Sequence, residues 1–416
     1  MRALDRHNAV MTRSFPRSAA LAAIAMVTAM TLIQPAPSAA AAVQNGIDAL
    51  AARDFRELRG SRVGLITNHT GADRQRNPTI DLLHESSEVK LVALFSPEHG
   101  IRGKLDQSRI DDGTDEKTGL PIYSLYGKTR VPLPQQMKGL DAMVFDIQDI
   151  GCRFYTYIST MGGAMEAAAK EGLEFFVLDR VNPIGGVVVE GPVMTSKRDF
   201  VGWHPIPVRH GMTVGELAKM FQSELKIDGE LTVIAVKGWR RAMWFDETGL
   251  PWINPSPNMR SLAQATLYPG VGLVETTNVS VGRGTDTPFE VVGAPWIDDI
   301  EFAAALNDAG LPGVRFVPIR FTPDASKFKG EECRGVNIFL TDRDACPAVD
   351  IGITLALTLR KLHPNDWQVD KFYRLLKHDA TLEAVKRGDS LQAIKASWRQ
   401  DLKAFERRRK MFLIYR

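Results

Sequence analysis

Apolar residues along the chain gather into short unbroken runs, and each run empties into a polar loop. Leu91 to Phe95 has no polar member, the pattern of a strand buried on both faces. Pro97 ends that run, and Gly100 and Gly103 permit a tight turn carrying Glu98, His99 and Arg102. Residues 61–67 lead likewise into Asn68-His69-Thr70-Gly71, and 141–147 into a polar segment from Gln148 to Tyr157. Residues 174–179 lead into Asp179-Arg180-Val181-Asn182-Pro183, and 231–236 form a further strand. Helical stretches separate these runs: one begins at Ile80–Leu83, one spans about 156–171, and one spans 213–226. Thr213 and Glu216 have capping-box spacing at the start of the third. Strands of this kind alternating with helices predict an α/β fold, a parallel sheet covered on both faces.

Periodicity fails over 244–260, which is rich in Pro, Trp and Asn. This reads as a long ordered loop, with Trp244 and Trp252 either stacking on ligands or plugging a domain interface. A domain boundary is expected near 262–268. Beyond a glycine-rich segment, helix (298–308, 349–362, then basic helices) mixes with strand (314–319, 335–341), as in a smaller α+β domain.

The front of the chain has a different pattern. Arg2, Arg6, Arg13 and Arg17 precede an apolar stretch at 18–33, and small residues follow. That is the layout of a signal peptide over 1–42, with an apolar stretch shorter than the ~20 residues of a membrane span. An exported protein, periplasmic or secreted, is expected, with no stable membrane insertion after cleavage. The remaining ~375 residues suit two domains. A net charge of +3 and the lack of a basic run interleaved with aromatics argue against nucleic acid. Export permits disulfides; Cys333 and Cys346 can close a short loop, leaving Cys152 free, or all three can stay reduced.

The loop chemistry narrows the reading. In open α/β sheets, ligands bind outside the carboxyl ends of the strands. The loops there offer Glu98, Asn68, His69, His99, Arg102, Asp149, Arg153, Tyr155, Asp179 and Asn182. Glu190-Gly191-Pro192 adds a carboxylate, and the second half adds Glu275, Asn278, Arg283 and Asp286 on a glycine-framed segment. That segment has neither a Gly-Lys-Ser/Thr phosphate loop nor a Gly-x-Gly-x-x-Gly between strand and helix. Ser326-Lys327-Phe328-Lys329 matches Ser-x-x-Lys, but Ser-Asp-Asn is absent and the only Lys-Thr-Gly lies upstream at 117–119. Gly-x-Ser-x-Gly and His-Glu-x-x-His are absent, so neither a serine elbow nor that zinc motif is present. Neither a metal nor a cofactor is expected. Carboxylates, amides, arginines and aromatics suit glycoside hydrolysis, where a carboxylic acid protonates the leaving oxygen. A general acid needs a pKa raised toward working pH, which partial burial beside other carboxylates can supply.

Ser96-Pro97-Glu98-His99-Gly100-Ile101-Arg102-Gly103, the Asp146–Tyr157 segment, Asp179–Pro183, Glu190–Pro192 and residues 268–289 together resemble the exo-β-N-acetylmuramidase family NamZ, from about Val63 to the C-terminus. The resemblance implies a Rossmann-like N-terminal domain (43–264), a smaller α+β C-terminal domain (265–416) and an active site in the cleft between them. It implies release of N-acetylmuramic acid from the non-reducing ends of peptidoglycan fragments, disaccharide or muropeptide, without a metal. The family's proposed catalytic glutamate maps onto Glu98. For the second catalytic group, Asp149, Asp179, Glu190, Glu275 and the substrate's own acetamido group stay open, with Asp149 and Glu190 placed beside Glu98 as catalytic candidates. Arg153 or Arg283 is expected to pair with the lactyl carboxylate of muramic acid. The competing reading is an exported protein that binds muropeptides in the same cleft without cleaving them.

Overall fold

The computed structural model describes residues 42–98, 100–101 and 111–416. His99, Arg102 and residues 1–41 of the expected signal segment therefore lie outside the described residues. Twelve strands are described: β1 Arg62–Thr67, β2 Lys90–Ser96, β3 Gly113–Thr114, β4 Pro121–Ser124, β5 Ala142–Asp146, β6 Glu174–Leu178, β7 Glu190–Val193, β8 Pro207–Arg209, β9 Leu231–Ile234, β10 Val291–Ala294, β11 Val314–Phe321 and β12 Cys333–Leu340. The runs that read as doubly buried strands are β1, β2, β5 and β6, and in each every residue after the first is buried or nearly so.

The large sheet has the order β3-β4-β2-β1-β5-β6-β9. All pairings are parallel except the short edge ladder of β3 with β4. Without β3, the chain order across the sheet is third, second, first, fourth, fifth, sixth, the doubly wound arrangement of dinucleotide-binding folds. Its switch point lies between the carboxyl ends of β1 and β5. The helix Tyr157–Lys170 follows β5, and Val214–Glu224 precedes β9. The second begins as expected: Thr213 Oγ1 accepts from the Glu216 amide at 3.2 Å, and the Glu216 carboxylate accepts from the Thr213 amide at 3.1 Å.

The second half holds a three-stranded antiparallel sheet, β10-β12-β11. Across 262–268 the chain runs through a helix, Leu262–Val274, with Pro269 inside it. This helix lies against the helix Ala348–Leu362, and glycines make the crossing close. A Cβ on Gly270 would stand 1.8 Å from the Ala348 carbonyl oxygen, and one on Gly352 would stand 2.3 Å from that of Gly270. One buried cluster runs without interruption from Phe145 and Tyr157 in the first half to Val292, Ile351 and Phe372 in the second. Among the described residues no helix is long and apolar enough to cross a membrane. Cys152, Cys333 and Cys346 are all buried free thiols, so the short Cys333–Cys346 loop is not closed.

Candidate active site

A cleft of ≈ 570 Å³ opens at the carboxyl ends of β2, β4 and β5, and both halves of the chain line it. Glu98 enters from the end of β2, where Pro97 has stopped the ladder. Tyr126 and Arg130 follow β4, and Tyr155, Thr156 and Tyr157 lead into the helix after β5. Ser256 and Asn258 come from the long irregular loop, and Tyr268, Glu275 and Arg283 from the second half. A second hollow of ≈ 550 Å³ shares Glu98, Tyr126, Asn258 and Arg283 with the first. Glu98 thus stands where two hollows meet.

Two hydroxyls hold the Glu98 carboxylate. Thr156 Oγ1 donates to it at 2.9 Å, and the Tyr126 hydroxyl also hydrogen-bonds it. Burial, reinforced by the charge of Glu98, pushes the Tyr126 phenol up to about 12. Burial above all pushes Tyr155, Tyr157 and Tyr268 up as well. These phenols therefore stay protonated at neutral pH and serve as donors. Tyr155 stands edge-on to both Tyr157 and Tyr268, with ring centroids 5.1 and 5.8 Å away, and Tyr157 donates to the Pro255 carbonyl at 2.7 Å. The wall is an aromatic surface with donor tips, which suits the apolar faces and hydroxyl edges of a sugar.

Glu275 accepts from Arg283 Nη1 at 2.9 Å. Asp199 is held by Arg374 at 2.8 Å and by Lys377. Burial alone would raise the Asp199 carboxyl, but these two cations bring it below the ordinary aspartate range. Among the described residues no group of three or more His, Cys, Asp or Glu side chains could hold a metal ion.

Of the residues singled out from sequence, Glu98, Tyr155, Glu275 and Arg283 meet in the cleft. The others have different surroundings. Arg153 is fully buried and donates to four carbonyls: Pro192 and Ile206 at 3.1 Å, Leu375 at 2.8 Å and Leu376 at 2.7 Å. Its guanidinium is spent on the frame, and burial lowers it to about 10. Glu190 does not line the cleft; it accepts from the Val349 amide at 3.3 Å and faces Arg209 at 3.7 Å, fixing a helix start to β7. Asp149 is buried behind the tyrosines, accepting from the Gly151 amide at 2.7 Å and facing His210 Nε2 at 3.7 Å. Asp179 holds the helix after Thr213 through the Thr213 hydroxyl and the Gly215 amide, both at 2.8 Å. Asn182 bonds the Met212 carbonyl and the Ile184 amide. Asn68 accepts from Thr70, and His69 Nε2 bonds the Asn254 carbonyl at 2.6 Å. Asn278 ties down residues 366–368, and Asp286 is exposed, 3.7 Å from Arg260.

The switch point itself is filled. Asp146 at the end of β5 is fully buried and accepts from Arg180 Nε at 2.6 Å and Nη2 at 2.9 Å. Trp252 and Phe245 close over the neighbouring space, leaving ≈ 20 Å³. Sequence reasoning missed Tyr126, Arg130, Asp199, Phe200 and Arg374 in the cleft. The available signal for the first two was the Pro-Ile-Tyr-Ser run before them, which is the edge strand β4.

Family models described as exo-β-N-acetylmuramidase NamZ, N-terminal and C-terminal, match residues 63–263 and 266–415. The chain is 46% identical over 378 residues to a Bacillus subtilis protein named peptidoglycan β-N-acetylmuramidase NamZ, covering 90% of this chain and 91% of that one. Two Bacteroides fragilis crystal structures, described as DUF1343 family proteins, superpose with TM-scores of 0.84 and 0.73 at 39% and 33% identity. Each comparison covers 90% of this chain and 99% of the other. On its sheet order, its two-sided cleft and these matches, the chain belongs to the exo-β-N-acetylmuramidase NamZ family.

Proposed function

We propose that this chain is an exo-acting glycoside hydrolase that releases N-acetylmuramic acid from the non-reducing end of peptidoglycan fragments in cell-wall turnover. The observation that carries the reading is the position of Glu98 at the junction of two hollows, in a chain 46% identical to a peptidoglycan β-N-acetylmuramidase. A general acid of a glycosidase must lie between the sugar that is cut off and the sugar that leaves. Glu98 donates its proton to the oxygen between them, and Thr156 and Tyr126 orient the carboxyl. The partial positive charge on the ring then needs a carboxylate or the substrate's acetamido oxygen. Of the carboxylates considered for that role, Glu275 faces the same space as Glu98, whereas Asp149 and Glu190 serve the frame.

We also infer export, to periplasm or medium. The support is the basic stretch, apolar run and small-residue site over 1–42.

The test is incubation of the mature protein with MurNAc-β-1,4-GlcNAc, following free sugars by mass spectrometry, beside a folded Glu98→Gln variant. Both monosaccharides should appear with the unsubstituted protein, and the variant should lose at least about a thousandfold in kcat. Equal cleavage by both removes Glu98 from the chemistry. Binding without cleavage by either leaves a muropeptide-binding protein.

A further inference from the structure

The cleft contains three arginines, and they differ in what already holds them. Arg283 is bonded to Glu275, and Arg374 to Asp199. Arg130 makes no ion pair with a carboxylate among the described residues. Its guanidinium carbon lies 4.5 Å from the centroid of Tyr126 and 4.0 Å from that of Phe200, in the angle between two rings whose centroids are 6.3 Å apart. Stacking of this kind fixes the plane of the group while leaving its N–H edges available. The side chain is exposed on the cleft wall, so the charge is available without a large desolvation cost.

Tyr126 links this cation to the reacting centre, because its hydroxyl interacts with both Glu98 and Arg130. A carboxylate on the substrate that met Arg130 would therefore lie about one phenol group from the bond that Glu98 protonates. In muramic acid the lactyl ether is on C3, two ring carbons from the anomeric carbon. Glucosamine has only a hydroxyl there.

Resting on the muramidase reading above, we propose that Arg130 is the specificity-determining residue that pairs with the lactyl carboxylate, with Tyr126 and Phe200 holding its guanidinium in plane. A planar fork matches a carboxylate through two parallel hydrogen bonds, which a point charge cannot reproduce. Arg153, buried against four carbonyls, has no part in it.

The experiment compares kcat/KM for a chromogenic N-acetylmuramide, its lactyl methylamide and the matching N-acetylglucosaminide, using the unsubstituted protein, Arg130→Met and Arg130→Lys. Arg130→Met should lose about ten- to a hundredfold on the free acid, mostly in KM, and less than about threefold on the other two. Converting the acid to the amide should cost the unsubstituted protein a similar factor and cost Arg130→Met little, because both changes remove the same pair. Arg130→Lys should recover part of the preference for the acid. Equal losses on all three substrates, or an unchanged ratio, overturn the role of Arg130 while leaving the hydrolase reading intact. No turnover of any substrate by the unsubstituted protein overturns both.

Discussion

Replacing Arg153 by Met separates a framework arginine from a substrate-reading one. The guanidinium is fully buried and joins carbonyls of the first half, Pro192 and Ile206, to those of the second, Leu375 and Leu376. Methionine fills much of the volume but donates nothing. The Ile206 carbonyl keeps a partner in the Met194 amide at 3.2 Å, so the main losses fall on the other three. Each carbonyl left unpaired in the interior costs about 1–3 kcal/mol, and removing the buried charge returns part of that sum. A net loss of about 3–5 kcal/mol is expected, a large share of the ~5–15 kcal/mol that holds a typical domain. Arg153→Lys keeps the charge but presents it at one point, so about half that loss is expected. Urea unfolding followed by tryptophan fluorescence measures both as shifts in midpoint. In the fraction still folded, activity on muramic and glucosamine substrates should keep its ratio. A loss below about 1 kcal/mol, or a selective loss on the muramic substrate at full stability, would refute this account and return Arg153 to the cleft.

Two further outcomes are expected. Burial pushes the Asp179 carboxyl up to about 6, above its unfolded value, so the folded chain holds this proton more tightly. Its contribution is therefore full below about pH 4 and shrinks as pH rises toward 6, by up to about 3 kcal/mol; the stability difference between the unsubstituted protein and Asp179→Asn should fall across that window, and a flat difference would remove the shift. The three thiols should resist a disulfide-exchange reagent at pH 8 in the native state and all react in denaturant, because burial raises Cys333 to about 11 and Cys346 to about 12; an intact mass two hydrogens short of the reduced chain would show a disulfide instead.

The apolar runs made the sheet legible because a strand buried on both faces has to be written in Val, Leu, Ile and Phe. The strands β1, β2, β5, β6 and β9 and the capped helix after Thr213 all followed from such local signals. Where local signal is weak, reading failed. The edge strand β4 holds Pro121, Tyr123 and Ser124, and its neighbour β3 is two residues long. The Leu262–Val274 helix holds Pro269, Gly270 and Gly272, which argue locally for a loop; its reason is the close crossing against Ala348 and Gly352, invisible without the partner helix. In the site, Glu98 was legible because it follows a strand end directly. Arg153 and Asp179 carried the same kind of signal and turned out to be buried in the frame. A charged residue at a strand end serves equally to bind a ligand or to hold the next element, and only its partners distinguish the two.

The placement of the cleft follows from what was done with the switch point. Sheets of this strand order usually bind their ligand between the first and fourth parallel strands. Here Asp146 occupies that position and is neutralised from within by Arg180, while Thr79 Oγ1 donates to it as well. Phe245 and Trp252, from the irregular loop, cover what is left. A phosphate approaching this crevice would meet a paired carboxylate and an indole rather than free amides. The open cleft lies instead at the ends of β2 and β4, toward the edge of the sheet, where the second half of the chain supplies a facing wall with Tyr268, Glu275 and Arg283. That displacement leaves Glu98, just past the end of β2, facing the cleft, whereas Asp146 and Asp179, at the ends of β5 and β6, are tied to Arg180 and to the helix after Thr213.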